Sequence, residues 1–315
     1  MAQKRKNACS KELLLKDVVK DFLTKAKTRL KESTVSRYNS ICENHIIPYF
    51  GDMKIHKINN EDITNFIHEK FKCGGLKGSS LSAKTVNDMV SLFLQIIKPH
   101  CNFDIDITKP SHKQKEISIF TEEEYNRLRA YLSTGTDCKK LGIIIVMLTG
   151  IRIGELCALK WENIDLDSGI ISIDKTMQRI ETTDNTERSK TKIIIDIPKS
   201  IASIRAIPTH PILLAELRKF KAPDSSYVLT NTGNYIEPRI YTRHFKDYLK
   251  ACGLKDNKFH TLRHTFATRA ISSGIDIKTV SMLLGHTHVS FTMERYVHPN
   301  IEHRRAQIEK LAVGF

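Results

Sequence analysis

The chain has 315 residues, 40% of them hydrophobic, which is enough for two domains that each enclose a core. Its longest apolar run, 141–150, is half as long as a membrane-spanning helix, and no apolar signal segment follows the basic N-terminus. These features exclude an integral membrane protein, and the cytoplasm is the expected location. Lys and Arg outnumber Asp and Glu by 50 to 35, a net charge of +15.

This basic excess predicts a polyanionic partner. Nucleic acid is the leading candidate, because Lys and Arg side chains displace the counterions that condense on its phosphates. A membrane surface is the weaker alternative, since no strongly amphipathic basic helix stands out in the sequence.

The N-terminal third of the sequence has helical periodicity. Residues 1–10 are basic and are predicted to be disordered, and residues 11–103 are predicted to form an all-α domain of four helices. Residues 104–118 are polar, contain Pro110 and keep no sustained period, so they are predicted to be a linker.

Residues 119–315 are predicted to form a mixed α+β domain that is mostly helical and has a small antiparallel sheet. Thr121 and Glu124 form a capping-box pattern at its first helix, and Gly150 ends a buried helix. The stretches GIISIDKT and TKIIIDIPKSIASIRAIPT are rich in β-branched residues and predict strands. A tail helix is predicted over 300–313.

The stretch LLGHTHVSFTMERYVHP, residues 283–299, raises three alternatives: a core tyrosine, a histidine metal site or a nucleophilic phenol. HTLRH places His260 and His264 four residues apart, but it lacks the glutamate of HExxH and puts Arg263 between the histidines. A cation beside a metal dication is unfavourable, so the sequence predicts no metal and no cofactor.

Two arginines in apolar helical surroundings point to a phosphate instead. Arg152 begins a helix just after Gly150, and Arg263 lies among histidines. Planar guanidinium groups match phosphate oxygens two at a time, and Glu155, one turn after Arg152, is placed to brace it. Arginines and histidines could stabilise displacement at phosphorus, Tyr296 could attack, and a lysine such as Lys199 could protonate the leaving oxygen.

Three stretches together resemble the tyrosine recombinases of the phage integrase family. TGIRIGELCALKWENIDLDSG resembles the first-arginine box, and HTLRHTFATRAISSGIDIKTVSMLLGHTHVSFTMERY resembles the second box, with a tyrosine ten residues after the LGH histidine. PKSIASIRAIPTHP resembles the hairpin that carries a catalytic lysine. The resemblance implies a core-binding domain followed by a catalytic domain.

Carried over position by position, the resemblance implies that two arginines clamp the phosphate, two histidines assist them and a tyrosine is the nucleophile. The implied catalytic set is Arg152, Lys199, His260, Arg263, His286 and Tyr296, with Glu155 in support and Lys192 as the alternative lysine.

The implied function is site-specific DNA recombination through a 3′-phosphotyrosine and a Holliday junction. The implied partners are double-stranded DNA with inverted-repeat core sites, a tetramer assembled on DNA through the C-terminal tail, and accessory DNA-bending or directionality proteins. A phage or conjugative element is the implied setting. The alternatives are a Xer-like chromosome-dimer resolvase and, from a different class, a non-catalytic DNA-binding regulator.

Other basic residues receive weaker assignments. His264 is predicted to be a capping or core residue, and His288 and His298 to be solvated or close to DNA. The residues predicted to lie near DNA are Arg37, Lys84, Arg239 and Arg243.

Overall fold

The structure, a computed structural model, describes residues 13–75, 78–100, 104–111, 117–182, 189–198, 200–296, 305 and 308–309. The chain divides into two compact units, Met1–Lys115 with Ile180–Lys192, and Glu116–Arg179 with Ile193–Phe315. The predicted disordered segment 1–10, part of the linker and most of the tail helix 300–313 lie outside the described residues. The predicted domain limits therefore stay predictions.

The first unit is built from helices, as the sequence predicts. Asn59 caps one of them, and its side chain forms a capping box with Asp62. Inside the unit, Phe50 stacks on Phe93 with their ring centroids 4.4 Å apart, and Phe66 packs beside both rings. The helices are α1 (Leu15–Arg29), α2 (Glu32–Ile41), α3 (Ile47–Phe50), α4 (Asn60–Cys73) and α5 (Ala83–Ile97), with a π-helical turn, Cys42–Ile46, between α2 and α3.

The second unit contains helices around its own hydrophobic core. The predicted capping box of Thr121 and Glu124 is confirmed at its first helix. Gly150 ends a buried helix, as predicted, and it does so in the left-handed conformation, φ 66°. The helices are α6 (Glu122–Ser133), α7 (Cys138–Thr149), α8 (Ile153–Ala158), α9 (Pro211–Phe220), α10 (Pro238–Ala251), α11 (His260–Ser272), α12 (Ile277–Leu284) and α13 (Val289–Tyr296).

The predicted small antiparallel sheet is confirmed. Its strands are β1 (Ile164–Asp165), β2 (Ile170–Ile173) and β5 (Arg205–Pro208), in the order β1-β2-β5. Strands β3 (Thr176–Glu181) and β4 (Thr191–Asp196) form a separate pair. The sequence predicts only the second of them, β4. Strand β5 matters for the site because Arg205 is its first residue.

Helix α11 occupies the position from which the site is built. It packs against α7, α12 and α13, and α12 also packs against β5. Apolar residues of α11, α12 and α13, among them Ala267, Val280 and Leu284, form a small cluster beneath the site that includes the ring of Tyr296. This packing brings together residues that lie over a hundred positions apart in sequence. Within the described residues, no helix is long and apolar enough to cross a membrane.

Candidate active site

Arg263 is the buried centre of the site, with only 1% of its surface exposed. Its guanidinium donates hydrogen bonds to the Gly150 carbonyl at 2.7 Å and the Leu284 carbonyl at 2.6 Å. Burial, followed by the charge of Arg152, lowers the pKa of Arg263 to about 9, so the group stays charged at neutral pH. In the described part of the chain, no carboxylate forms an ion pair with it. A buried cation without a counter-ion favours the binding of an anion.

Glu155 holds two further arginines in place. This 2%-exposed carboxylate accepts hydrogen bonds from Arg152 Nη1 at 2.7 Å and from Arg205 Nη2 at 2.9 Å and Nη1 at 3.2 Å. Burial by itself would raise the pKa of Glu155, but the hydrogen bonds and charge of Arg205, with those of Arg152, outweigh it and lower the pKa. The predicted pairing of Glu155 with Arg152 is confirmed, and it fixes the direction of the Arg152 side chain.

His286 is fixed between two partners. Its Nε2 lies 3.0 Å from Arg263 Nη2, and its Nδ1 lies 2.8 Å from the Thr292 hydroxyl. Because a guanidinium can only donate, Nε2 accepts, and the ring proton therefore sits on Nδ1 and is donated to Thr292. Burial, then the charges of Arg263 and Arg152, lower the pKa of His286 to about 3, which keeps the ring neutral.

Tyr296 ends α13 with 8% of its surface exposed, and its hydroxyl contacts His264. The Tyr296 oxygen lies 2.6 Å from His264 Nδ1. Burial raises the pKa of Tyr296, while the charges of Arg263, Arg295 and Arg152 act in the opposite direction. The phenol is thus protonated at neutral pH, in a setting where nearby arginines favour its ionised form.

His260 begins α11 beside these groups. His260 is exposed, and its ring lies edge-on to the ring of His264 with the centroids 4.5 Å apart. Desolvation by the groups packed around the ring is the largest cause that lowers the pKa of His260 to about 3, followed by His264 and Arg263. Within the described residues His260 makes no hydrogen bond, so its ring nitrogens are free to contact a bound molecule.

The structure therefore brings five of the six predicted catalytic residues into one cluster, with Glu155 beneath them. Lys199 lies outside the described residues. The alternative lysine, Lys192, belongs to the first unit, and its ammonium lies 2.7 Å from Glu32. His298 also lies outside the described residues, and His288 is exposed.

The four residues predicted to lie near DNA are exposed on the surfaces of helices. Their role in DNA binding stays a prediction. Arg37 on α2 is exposed and pairs with Asp88 at 2.5 Å. Lys84 is exposed near the start of α5, and Arg239 and Arg243 are exposed four residues apart on α10.

Three polar residues of the cluster were not found from the sequence. The interpretation of His264 as a capping or core residue missed its contact with the Tyr296 hydroxyl. Arg205 and Thr292 were not singled out, although each forms a hydrogen bond with a predicted residue. Arg205 contacts Glu155, and Thr292 contacts His286. For Arg205, the available signal was a second basic residue, besides Lys199, in the predicted hairpin; for Thr292, the sequence carried no signal.

The cluster is suited to binding a phosphate beside a phenol. Cationic donors stabilise the charge that develops on the equatorial oxygens during displacement at phosphorus. Among the described residues, no group of three or more His, Cys, Asp or Glu side chains is arranged to hold a metal ion.

We expect Glu155→Gln to destabilise the fold strongly. The substitution removes the only negative charge that pairs with Arg152 and Arg205 among the described residues, and removing one partner of a buried ion pair costs about 3–5 kcal/mol. Urea denaturation measures the loss. Glu162→Gln is the matched control, because Glu162 is exposed and its ion pair with Lys160 is long, at 4.0 Å. An equal effect of both substitutions would contradict the role assigned to Glu155.

The neutral histidines make the fold sensitive to acid. Unfolded histidine has a pKa near 6.5, whereas the folded pKa is about 3 for His260 and His286 and about 4 for His264. Between those pH values the unfolded chain binds more protons than the folded chain. The stability that the neutral histidines contribute is therefore fully present above pH 6.5 and is lost as the pH decreases towards 4. Urea denaturation from pH 7.5 to 4.5 should show this fall in the free energy of unfolding. In His286→Asn the slope of that free energy against pH should be smaller, by the equivalent of up to about one bound proton. Identical pH slopes in both proteins would rule the assignment out.

The sequence matches two known families. Residues 118–303 match the Phage integrase family, and residues 14–71 match the Phage integrase, N-terminal SAM-like domain. A tyrosine recombinase XerC-like protein of Caldanaerobacter subterraneus subsp. tengcongensis is 28% identical, over 89% of this chain and 78% of its own. The ICEBs1 integrase of Bacillus subtilis is 22% identical, over 96% of this chain and 83% of its own.

Solved structures share the fold. The Tn1549 transposon integrase in complex with a circular intermediate DNA superposes with a TM-score of 0.74 at 19% identity, over 95% of this chain and all of that one. A lambda integrase tetramer bound to a Holliday junction superposes with a TM-score of 0.62 at 18% identity, over 92% of this chain and 80% of that one.

The family match spans more than half of the chain, so the chain belongs to the phage integrase family. Within that family it is a tyrosine recombinase, an enzyme of site-specific recombination that transfers DNA strands and needs no metal.

Proposed function

We propose that this recombinase is the integrase of a mobile element, and that Tyr296 is its nucleophile. The observation that carries the assignment of the nucleophile is the position of the Tyr296 phenol in the same cluster as Arg263, a buried cation with no carboxylate partner among the described residues. The similarity to the ICEBs1 integrase, over 96% of this chain and 83% of that protein, and the fold shared with the Tn1549 integrase support the mobile-element setting.

In the proposed reaction the scissile phosphate is held by Arg152 and Arg263. Glu155 orients Arg152, and the two carbonyls and His286 orient Arg263, so the guanidinium groups are in position before the phosphate arrives. His260, whose ring nitrogens make no hydrogen bond to the described residues, donates a hydrogen bond to a non-bridging oxygen or positions it. The phenol oxygen of Tyr296 then bonds to phosphorus and the bond to the 5′ oxygen breaks.

The leaving 5′ oxygen takes a proton, and Lys199 is the proposed donor. The resemblance of PKSIASIRAIPTHP to the family's lysine hairpin supports Lys199, and the pairing of Lys192 with Glu32 counts against the alternative. The products are a 3′-phosphotyrosine and a free 5′-hydroxyl, which attacks the phosphotyrosine of a partner strand. The energy of the phosphodiester is retained, so no nucleotide cofactor is required.

The proposed partner is double-stranded DNA with inverted-repeat core sites, bound by a tetramer through a Holliday junction. The net charge of +15 supports a DNA partner, and the fold shared with a lambda integrase tetramer on a Holliday junction supports the assembly. Assembly of the tetramer through the C-terminal tail and accessory DNA-bending or directionality proteins belong to the same proposal. We propose the cytoplasm of a bacterial host as the location of the enzyme, in association with the nucleoid, because its proposed partner is DNA.

Chromosome-dimer resolution is the second candidate. The XerC-like relative, at 28% identity, favours it specifically. Both candidates use the same strand-transfer chemistry and differ only in the DNA site.

An excision assay separates the two candidates. The protein is expressed in a heterologous host with a plasmid that carries the DNA flanking its own gene, and junction-specific amplification followed by sequencing detects an excised circle. An integrase should produce a circle and a rejoined flank that share a short core sequence. Absence of a circle, together with resolution of plasmids that carry two copies of a chromosomal site, would favour the second candidate and overturn the first.

A further inference from the structure

His264 is the immediate neighbour of the proposed attacking oxygen. Its Nδ1 lies 2.6 Å from the Tyr296 hydroxyl, with the ring centroids 5.6 Å apart. Among the described residues, no other group hydrogen-bonds this phenol. His264 follows Arg263 directly on α11, so the helix that positions the buried guanidinium also positions this imidazole.

The groups around His264 keep it neutral and able to accept a proton. The titratable and charged groups that face it are His260 and Arg263 on its own helix and Arg295 and Tyr296 on α13. Burial, then the charges of Arg295 and Arg263, lower the pKa of His264 to about 4. With the ring proton on Nε2, the Nδ1 lone pair accepts the hydrogen bond of the protonated phenol.

We propose that His264 is a catalytic residue that takes the phenol proton as Tyr296 attacks the phosphate. This inference rests on the proposed role of Tyr296. In the cleavage step the Tyr296 O–H proton moves to His264 Nδ1, the phenol oxygen bonds to phosphorus, and the bond to the 5′ oxygen breaks. The electron pair leaves with that oxygen, which takes its proton from the proposed donor, Lys199. In the joining step the 5′-hydroxyl attacks, and His264 returns its proton to the departing phenol oxygen.

Phosphate binding strengthens this base. Arg263 and Arg295 disfavour the imidazolium form of His264 in the free protein. A phosphate between Arg152 and Arg263 brings a negative charge that offsets part of this effect and raises the proton affinity of His264. His264 is therefore a stronger base when the phosphate that Tyr296 attacks is in place than it is in the free enzyme.

The test compares substitutions at residue 264 on the DNA site recovered by the excision assay. His264→Asn places an amide oxygen near the position of Nδ1, so it can hold the phenol but cannot take its proton; His264→Phe can do neither. Single-turnover formation of the covalent adduct should slow by about 10²–10⁴-fold in His264→Asn, the scale on which a general base acts. His264→Phe should be at least as slow. His68→Asn, at an exposed histidine of α4, is the matched control and should react at the wild-type rate.

The pH profile and a sulfur-substituted substrate separate proton transfer from a purely structural role. The wild-type rate should rise with pH through one ionisation that is missing in His264→Asn. With sulfur in place of the bridging 5′ oxygen, the leaving group needs no proton, so Lys199→Ala should recover its rate and the His264 variants should not. Thermal unfolding and DNA gel shifts establish that each variant folds and binds.

Two results would overturn the inference. A His264→Asn enzyme with the wild-type rate and pH profile would show that His264 takes no proton. A faster His264→Phe enzyme would show that His264 restrains Tyr296 in an inactive position. In both cases, loss of the adduct in Tyr296→Phe leaves the proposed nucleophile standing, whereas an adduct that persists in Tyr296→Phe removes the proposed function itself.

Discussion

Tyr296→Phe should lose covalent adduct formation by at least about 10⁴-fold, the scale on which loss of a catalytic nucleophile acts. The substitution removes only the phenol oxygen, and the ring remains packed against the small cluster of α11, α12 and α13. We expect a stability loss of about 1 kcal/mol from the missing hydrogen bond to His264, and unchanged DNA affinity. A nicked suicide substrate, which traps the 3′-linked protein on a denaturing gel, measures the adduct.

Tyr235→Phe is the matched control for this prediction, because Tyr235 is an exposed tyrosine outside the cluster. It should form the adduct at the wild-type rate. Chelation of divalent metals should leave both proteins unchanged. Adduct formation by Tyr296→Phe at a rate near wild type would assign the nucleophile to another residue.

Arg263→Lys should have the second largest effect. Lysine keeps the positive charge but cannot contact the Gly150 carbonyl, the Leu284 carbonyl and His286 at once, as the guanidinium does. The buried carbonyls that lose their donor should reduce the free energy of unfolding by about 2 kcal/mol. The rate of cleavage should fall by about 10²–10³-fold, as when one preorganised oxyanion donor is removed.

Single-turnover cleavage and urea denaturation measure the two effects separately. Arg129→Lys, at an exposed arginine of α6, should change neither quantity. Inorganic phosphate should raise the thermal unfolding temperature of the wild type more than that of Arg263→Lys, because the guanidinium, which has no carboxylate partner among the described residues, matches phosphate oxygens better than an ammonium does. An Arg263→Lys enzyme that cleaves at the wild-type rate would contradict the phosphate-binding role.

The sequence predicted most of the secondary structure because its local signals agree with the fold. The capping box at Thr121, the helix end at Gly150 and the apolar faces of the helices each depend on residues close together in the chain. Strand β3 was missed because its residues, TMQRIE, do not alternate strictly between apolar and polar. The π-helical turn between α2 and α3 cannot be distinguished from an α-helix by the spacing of apolar residues in the sequence.

The sequence predicts which residues form most of the site, but not which atoms of those residues contact one another. Spacing and resemblance selected Arg152, Arg263 and Tyr296, but which atoms they contact depends on how α11 packs against α7 and α13. The Arg205–Glu155 pair joins residues 50 positions apart, and a surface arginine would look the same in sequence. The sequence predicts a capping or core role for His264 because a histidine on a helix is more often structural, and only the 2.6 Å contact with the phenol reveals its partner.

The most direct test of the account is the chemical identity of the protein–DNA linkage. The wild-type enzyme is trapped on suicide DNA, and the adduct is digested with nuclease and with trypsin, which cuts after Arg295 and Arg304. Mass spectrometry should find the peptide 296–304, which holds a single tyrosine, carrying a nucleotide joined through its 3′-phosphate to Tyr296. A nucleotide on any other peptide, a 5′-phosphate linkage, or DNA cleaved with no linked peptide would contradict the mechanism.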